Sequence, residues 1–167
     1  MLKIVHSLSA LNFSELMQVH SESNLENGAE QYFLETPEVQ LHNAQIDFYN
    51  YLNSVFFRQS NSYYAIWEDQ GRYVSALRVE PYSDGLLICA LETEPQARRK
   101  GYASLLIQAV QSYLKGQGSG VIYSHVSKKN SASLSIHNKC GFEVVKDYAV
   151  YSDGSVLHSN VTLAYRY

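Results

Sequence analysis

The segment Arg98–Ser104, called the basic segment below, is the part of the chain whose residue types most clearly indicate chemistry. It joins an apolar strand pattern to a helix pattern, and it begins with three cations followed by Gly101. The first turn of a helix has free backbone N–H groups and a positive potential, so it binds anions. Gly101 and Ala103 lack bulk, which lets a phosphate approach the backbone. The basic segment therefore predicts an anion site whose natural ligand is a diphosphate.

Two other interpretations of the basic segment stay open at this point. The first is an ordinary solvated surface loop, because glycine near a helix start is common and runs of charge are usually solvated. The segment lacks the Gly-Lys-Ser/Thr ending of a P-loop and the complete G-x-G-x-x-G of dinucleotide folds. The second alternative is a nucleotide-binding protein with another phosphate ligand, although the segment matches neither of these two nucleotide-binding motifs.

Two motifs follow one another along the chain. Arg98-x-x-Gly101-x-Ala103 comes after a predicted strand, and Asn130–Phe142 comes downstream. The first resembles the (Gln/Arg)-x-x-Gly-x-(Gly/Ala) signature of the GNAT superfamily of N-acetyltransferases, and Pro95 stands where that family often has a proline. The second resembles the family's other cofactor segment, which runs from Asn-x-x-Ser/Ala to Gly-Phe. The order of strands and helices agrees as well, so the resemblance extends over the whole chain.

The resemblance implies acetyl-CoA as co-substrate, lying in a V-shaped split between the strand before the basic segment and the next strand. Backbone groups of Leu91 and Thr93 would then pair with the pantetheine arm, and Asn130 would contact the pantetheine region. The pyrophosphate would be held by the basic segment, whose residues are Arg98, Arg99, Lys100, Gly101, Tyr102, Ala103 and Ser104.

The resemblance also implies acyl transfer from a thioester to an amine. This chemistry requires a neutral amine, a stabilised oxyanion and a protonated or stabilised thiolate. A backbone N–H at the end of the strand 86–93 would serve the oxyanion. His137 stands where many members have a tyrosine acid, and a histidine there resembles the branch that acetylates phosphinothricin and related small amines. Imidazole titrates near neutrality and can donate a proton; the alternative is a histidine that packs on the sheet.

The general base is the point at which the sequence departs from the family pattern. Some members have a glutamate near position 87, but Leu87 is apolar. The nearest carboxylates are Glu80, Glu92 and Glu94, and a bulge would turn Glu92 toward the site. Glu92 and Glu94 as solvated charges at a strand end are the alternative, and a water chain could replace a single base.

We expect the acceptor pocket to involve the first two helices, their loop and the final hairpin. An aromatic wall with a few carboxylates would suit a small cationic amine. The residues that these regions offer are Glu30, Tyr32, Phe33, Asp84, Tyr148 and Tyr151.

The elements that must position these residues are predicted in the order β-α-α-β-β-β-α-β-α-β-β. Three consecutive strands before the basic segment argue against a doubly wound Rossmann sheet. The predicted class is α/β (α+β), a mixed, mostly antiparallel twisted sheet of about six to seven strands flanked by about four helices. The predicted strands are 2–5, 62–68, 72–80 and 86–93, then 121–126 and a final hairpin of 142–151 and 155–165. The predicted helices follow Asn12 or Ser14, begin at Thr36-Pro37, and span 102–115 and 131–139, while 23–30 is predicted to be a loop.

Composition restricts the class of protein. The 167 residues suit a single domain over 1–167, and the net charge of -3 gives no long-range attraction for nucleic acid or an anionic membrane. Neither a spanning helix nor a signal peptide is indicated. Cys89 and Cys140 lack metal spacing, so we expect no metal and reduced thiols in a cytoplasmic protein. The tyrosine-rich final hairpin offers a surface for a homodimer.

The sequence therefore predicts an acetyl-CoA-dependent N-acyltransferase acting on the amine of a small molecule. Two further alternatives remain beside the nucleotide-binding protein. One is an acetyl-CoA-binding sensor or interaction module without turnover, which the apolar Leu87 keeps open. The other is an acetyltransferase of protein N-termini or lysines.

Overall fold

The computed structural model describes residues 1–167 as a seven-stranded sheet with five helices and a separate two-stranded ribbon. In chain order the elements are β1 (Leu2–Val5), α1 (Phe13–Val19), α2 (Ser21–Gln31), α3 (Pro37–Ser54), β2 (Tyr63–Asp69), β3 (Arg72–Tyr82), β4 (Gly85–Thr93), α4 (Tyr102–Lys115), β5 (Val121–Ser127), α5 (Ser131–Lys139), β6 (Glu143–Lys146), β7 (Ala149–Val150), β8 (Val156–Leu157) and β9 (Asn160–Arg166).

The main sheet has the order β1-β2-β3-β4-β5-β9-β6, and every neighbouring pair is antiparallel except β4 and β5. This confirms the predicted mixed and mostly antiparallel sheet. The parallel pairing of β4 with β5 covers only Leu86–Ile88, opposite 122–124. Beyond Ile88 the sheet is split, and the second half of β4 has no strand beside it on that edge.

A bulge interrupts β4 in this unpaired half. Glu92 lies opposite Ala76 on β3 and Cys89 lies opposite Arg78, so two residues of β4 face the one residue Leu77. The extra residue is accommodated at Ala90, which has a φ of 49°. A bulge bends its strand and redirects the side chains that follow it. The end of β4 therefore departs from the regular alternation just before Glu92.

The two faces of the sheet carry separate hydrophobic cores. On one face, Leu106 and Val110 of α4 belong to a cluster that includes Ala65 of β2. On the other face, Leu16 of α1 and Leu52 of α3 pack in a cluster with the neighbouring β2 residues Tyr64 and Ile66. Alternation along β2 separates the two cores, because successive side chains of a strand point to opposite faces.

The prediction of a loop over 23–30 is wrong, because this segment belongs to helix α2. Its glycine suggested a break, but Gly28 marks a close approach of two helices. A Cβ at Gly28 would come within 2.6 Å of the backbone oxygen of Gln40 on α3. The side-chain amide of Gln40 in turn donates to the backbone oxygens of Tyr32 and Glu35, at 3.1 and 3.0 Å. Contacts with α3, rather than an apolar stripe of its own, therefore hold α2.

The predicted helix starts and spans elsewhere are confirmed. Asn12 caps α1 by accepting the N–H of Glu15 at 3.2 Å, and Pro37 occupies the first turn of α3. Helices α4 and α5 have the predicted bounds. The apolar spacing that follows Pro37 predicts a helix that includes Val55 and Phe56, but α3 ends at Ser54 and Val55 is exposed.

Two strand predictions need correction. The final hairpin is not continuous, because β6 pairs with β9 in the main sheet whereas β7 and β8 form their own ribbon around Gly154. The nearly all-apolar segment 86–93 predicts a strand that is central and buried; β4 is central in the sheet, but Ile88 is its only buried residue. The split beside β4 explains this exposure, since no strand covers the edge beyond Ile88.

Candidate active site

A cavity of 610 Å³, called the donor groove below, runs from the end of β4 along the start of α4 to α5. Every predicted cofactor residue except Lys100 lines it: Leu91, Thr93, Arg98, Arg99, Gly101, Tyr102, Ala103, Ser104 and Asn130. Lys100 lies instead on a smaller neighbouring cavity beside Asp69 and Gln70. Residues of the two sequence motifs thus line one cavity, although about thirty positions separate them.

The basic segment has the backbone of an anion site. Gly101 precedes α4 with a φ of 85°, and Arg99 has a φ of 63°, both in the left-handed region that favours glycine. A Cβ at Gly101 would meet no protein atom within 4 Å, so the space beside it is open to a ligand. The first N–H groups of α4 have no carbonyl partner within the helix and lie at its positive end.

Arg98 has contacts that also serve the fold. Its Nε donates to the backbone oxygen of Thr93 at 3.2 Å, and its guanidinium forms an ion pair with Glu22 of α2 at 2.6 Å. Arg98 therefore ties the end of β4 to α2 at the rim of the donor groove.

Asn130 and His137 occupy α5, on the far side of the split. Asn130 caps the helix, and its side-chain oxygen accepts the N–H of Ser133 at 3.0 Å. Both residues also line a cavity of 210 Å³ between β4 and β5, called the split cavity below. The capping bond gives Asn130 a structural role in addition to any contact with a ligand.

His137 is buried, and its ring bonding fixes a tautomer. Nδ1 lies 2.8 Å from the backbone oxygen of Ser133, so Nδ1 carries the proton and donates it. Nε2 is buried without a partner. Burial lowers the pKa of His137, and the bond to Ser133 opposes this effect only in part. The neutral ring therefore presents a hydrogen-bond acceptor, and donation from Nε2 would require the doubly protonated ring that burial disfavours.

Glu92 follows the bulge of β4 and is bonded to a residue that the sequence did not indicate. The Nδ1–H of His20 donates to Glu92 Oε1 at 2.7 Å, and His20 Nε2 lies 3.4 Å from the hydroxyl of Tyr64. Burial alone would raise the pKa of Glu92, but the hydrogen bond and charge of His20, aided by Ser23 and Arg98, hold it below its ordinary value. Glu92 is therefore an ionised and oriented carboxylate at neutral pH.

A third cavity, of 330 Å³, lies between β3, β4 and helices α2 and α3, and is called the acceptor cavity below. Its lining residues are His20, Ser23, Asn24, Asn27, Gln31, Ala44, Asp47, Phe48, Tyr51, Arg78, Ala90 and Glu92. Glu92 lines the acceptor cavity and the donor groove at once. The two cavities therefore meet at this carboxylate.

None of the residues expected to form the acceptor pocket lines this cavity: Glu30, Tyr32, Phe33, Asp84, Tyr148 and Tyr151. Because 23–30 is helical, α2 presents its Ser23, Asn24 and Asn27 to the cavity instead. Phe33 is exposed beyond the end of α2, and the final hairpin lies on the other side of the split, where the amide of Asn160 donates to the Tyr151 hydroxyl.

The model of the Acetyltransferase (GNAT) family matches residues 22–142, more than half of the chain. The chain belongs to the GNAT acetyltransferase family. This membership confirms what the motifs at Arg98–Ala103 and Asn130–Phe142 indicated. No curated protein matches the sequence.

Solved GNAT structures share the fold over the full length. The PaiA N-acetyltransferase of Thermoplasma acidophilum, determined with coenzyme A, has a TM-score of 0.65 at 17% identity and covers 100% of this chain and 99% of its own. The ribosomal-protein-S18-alanine N-acetyltransferase of Escherichia coli has a TM-score of 0.59 at 15% identity and covers 99% and 94%. The IAA acetyltransferase of Bacillus cereus has a TM-score of 0.63 at 12% identity and covers 100% and 99%. At these identities the likeness shows the GNAT fold alone.

Two residues that line the site of this GNAT chain and that the sequence did not indicate are His20 and Arg78. His20 lies 72 positions from Glu92, at the junction of two helices, where a histidine usually indicates no more than a favourable helix end. Arg78 is one charge in an otherwise ordinary strand pattern, and a charge in a strand is usually exposed. No local motif connects either residue with the basic segment.

None of the helices combines the length and the apolar character that crossing a membrane requires. No group of three or more His, Cys, Asp or Glu side chains comes together in the structure.

Proposed function

We propose that this GNAT protein is an acetyl-CoA-dependent N-acetyltransferase that acts on the amine of a small molecule. The observation that carries the proposal is the position of Glu92, which lines both the donor groove and the acceptor cavity. A thioester in the groove and an amine in the cavity would meet at an ionised carboxylate. Holding the two reactants side by side makes a bimolecular reaction effectively unimolecular and so lowers its entropic barrier.

The donor groove suits acetyl-CoA in charge and shape. Left-handed turns at Arg99 and Gly101 and the start of α4 offer backbone N–H groups to a pyrophosphate. The unpaired edge of β4 offers backbone groups of Leu91 and Thr93 to the amides of the pantetheine arm. The solved PaiA enzyme that shares the fold contains coenzyme A, which supports the same donor here.

Glu92 is the proposed general base. Its free oxygen would hold the amine and take its proton as the nitrogen attacks the thioester carbonyl. The C–N bond then forms, the C–S bond breaks, and the electron pair of that bond leaves with the sulfur as a thiolate, which then takes a proton from solvent. His20 keeps Glu92 Oε1 occupied by a hydrogen bond and so aims the other oxygen. A backbone N–H of the β4 bulge would stabilise the oxyanion.

His137 is proposed as a contact of the leaving thiol. It lines the split cavity together with Leu91 and Asn130, and its unpartnered Nε2 is an acceptor in the neutral ring. This bonding supports a role in binding the S–H or an amide of the cofactor more than proton donation. His137→Phe should weaken CoA binding a few-fold with turnover largely retained. A turnover loss of about a hundredfold at unchanged CoA affinity would instead identify His137 as the acid.

A small acceptor is favoured over a protein. The acceptor cavity is bounded by α2 and α3, and its volume of 330 Å³ lies in the range of small-ligand sites.

The proposed location is the reducing cytoplasm. The two cysteines are unpaired, which supports this location.

Thiol release from acetyl-CoA over a panel of amines, with calorimetry of CoA against ATP and NAD, tests the proposal. We expect tight binding of CoA alone and amine-dependent release. CoA binding without release for any amine would favour the sensor, and tighter binding of ATP or NAD would favour the nucleotide-binding alternative. Release only with peptides would favour the protein acetyltransferase.

A further inference from the structure

Arg78 is a partly buried cation in the acceptor cavity that the proposed chemistry does not use. Its side chain is only 19% exposed, and it projects from β3 into the cavity that Glu92 shares. Nε has no hydrogen-bond partner. The carboxylate of Glu80 lies 3.7 Å from Nε, beyond hydrogen-bonding distance. The guanidinium is therefore charged and largely desolvated, and Glu80 makes an ion-pair contact with its Nε but no hydrogen bond.

Two aromatic rings hold this guanidinium in place. Its central carbon lies 5.1 Å from the ring centre of Tyr51 and 5.7 Å from that of Phe56. Such stacking is favourable and restricts the side chain to one orientation. A fixed guanidinium presents its N–H groups as a planar fork, which matches the two oxygens of a carboxylate.

A largely desolvated guanidinium whose Nε lacks a hydrogen bond is costly even beside Glu80, and hydrogen bonds to an anionic ligand would reduce that cost. The charges around the cavity also differ from one end to the other. Glu92 lies opposite Ala76, two positions from Arg78 along β3, so both side chains are on the same face of the sheet. These two positions on β3 are about 7 Å apart. The cavity thus offers the carboxylates of Glu92 and Asp47 to a cationic or amine group and the guanidinium of Arg78 to an anionic group.

We infer that the acceptor is an amine that carries a carboxylate, such as an amino acid. The carboxylate binds the guanidinium of Arg78, and the amino group lies at Glu92 and faces the donor groove. This inference rests on the proposed function and adds the substrate class to it. A second ammonium placed beside Arg78 would be repelled by the guanidinium, so a polyamine fits this end of the cavity less well than a carboxylate does. The simple cationic amine expected from the sequence is therefore replaced by a zwitterionic one.

The test uses matched pairs of amines that differ only in the carboxylate. The panel contains the common α-amino acids, β-alanine and γ-aminobutyrate, each beside its carboxamide. Acetylation is followed by thiol release with the wild type, Arg78→Met and Arg78→Lys. Arg166→Met is the control, because Arg166 is exposed on β9 and lines none of the three cavities. Thermal unfolding and CoA binding report whether each variant is folded.

For the wild type and Arg166→Met we expect kcat/KM for at least one acid to exceed that of its amide by about 10- to 100-fold. Arg78→Met should remove this preference, mainly through KM, and Arg78→Lys should restore part of it. Amides that react as well as their acids would overturn the inference while leaving the acetyltransferase intact. Equal losses on acid and amide in Arg78→Met would overturn it as well.

Binding keeps the inference testable if no amine is acetylated, the result that would contradict the proposed function. Calorimetry of the same acids and amides against the CoA-bound protein then measures whether binding depends on the carboxylate. Binding of an acid that its amide and Arg78→Met both lack would support the carboxylate site by itself. Absence of any acid-selective binding would refute it.

Discussion

The donor groove and the acceptor cavity differ in how the chain assembles them. Apart from Asn130 and the first two turns of α5, the groove is built from one continuous stretch around the end of β4 and the start of α4. The acceptor cavity combines helix α2, helix α3 and strands β3 and β4, so its residues range from His20 to Glu92. Chemistry held by local backbone leaves a motif in the sequence, whereas chemistry assembled across the fold leaves isolated residues.

This difference explains which parts of the site could be predicted. The basic segment needs glycine for a left-handed turn and a helix start for its N–H groups, and both requirements are visible in the sequence. His20 and Arg78 satisfy no local requirement. Their roles depend on which elements pack together, which becomes visible only when Glu92, redirected after the bulge, meets His20 of the α1–α2 junction.

The fold was predictable to a similar extent and for similar reasons. Strands β2 to β4 and helices α4 and α5 follow clear periodicity, caps and turn residues. Helix α2 has almost no apolar face and is held through the close contact of Gly28 with α3. A helix of this kind cannot be recognised from its own periodicity.

The largest expected effect is on CoA affinity and concerns the donor groove alone. Gly101→Glu should reduce CoA affinity by about a hundredfold or more, because a negative side chain would fill the space beside the helix start. Calorimetry with CoA measures the effect. Gly154→Glu is the matched control, since Gly154 has the same φ of 85° and equally open surroundings in the β7–β8 turn. Equal CoA affinity in the two folded variants would show that the basic segment does not bind the phosphates.

The next effect concerns the point where the two cavities meet. Glu92→Gln should lower kcat by about a hundredfold with unchanged CoA affinity, a loss within the range typical of a general base. Glu94→Gln is the control, because Glu94 is paired with Arg72 outside both cavities. Steady-state kinetics with one amine measures both variants. A fully active Glu92→Gln variant would show that Glu92 is not the general base and would favour a water chain in that role.

Glu92 also predicts a dependence of stability on pH. Its pKa in the folded protein is lower than the ordinary value of 4.5, so its ionised form stabilises the fold above that pH. The unfolding free energy of the wild type minus that of Glu92→Gln should be constant from neutral pH to about pH 5.5 and then decrease as the pH falls below 4.5. Denaturant titrations at several pH values measure this difference, and a decrease near neutrality would contradict the assignment.

The smallest effect concerns the acceptor side alone. His20→Phe keeps an aromatic ring against Phe48 and Tyr64 but removes the hydrogen bond to Glu92. We expect kcat to fall about tenfold and the acid limb of the pH–rate profile to move to higher pH, because the pKa of Glu92 rises. His42→Phe, at an exposed position on α3, serves as control. A lower kcat without a shift of the acid limb would mean that His20 acts through packing.

A crystal structure with bound CoA tests the central claim, that donor and acceptor meet at Glu92. The account predicts the pantetheine arm along Leu91–Thr93 and the sulfur within about 7 Å of the Glu92 carboxylate, so that one amine could contact both groups at about 3.5 Å. A sulfur that ends elsewhere, with the acceptor cavity closed off from it, would contradict the account.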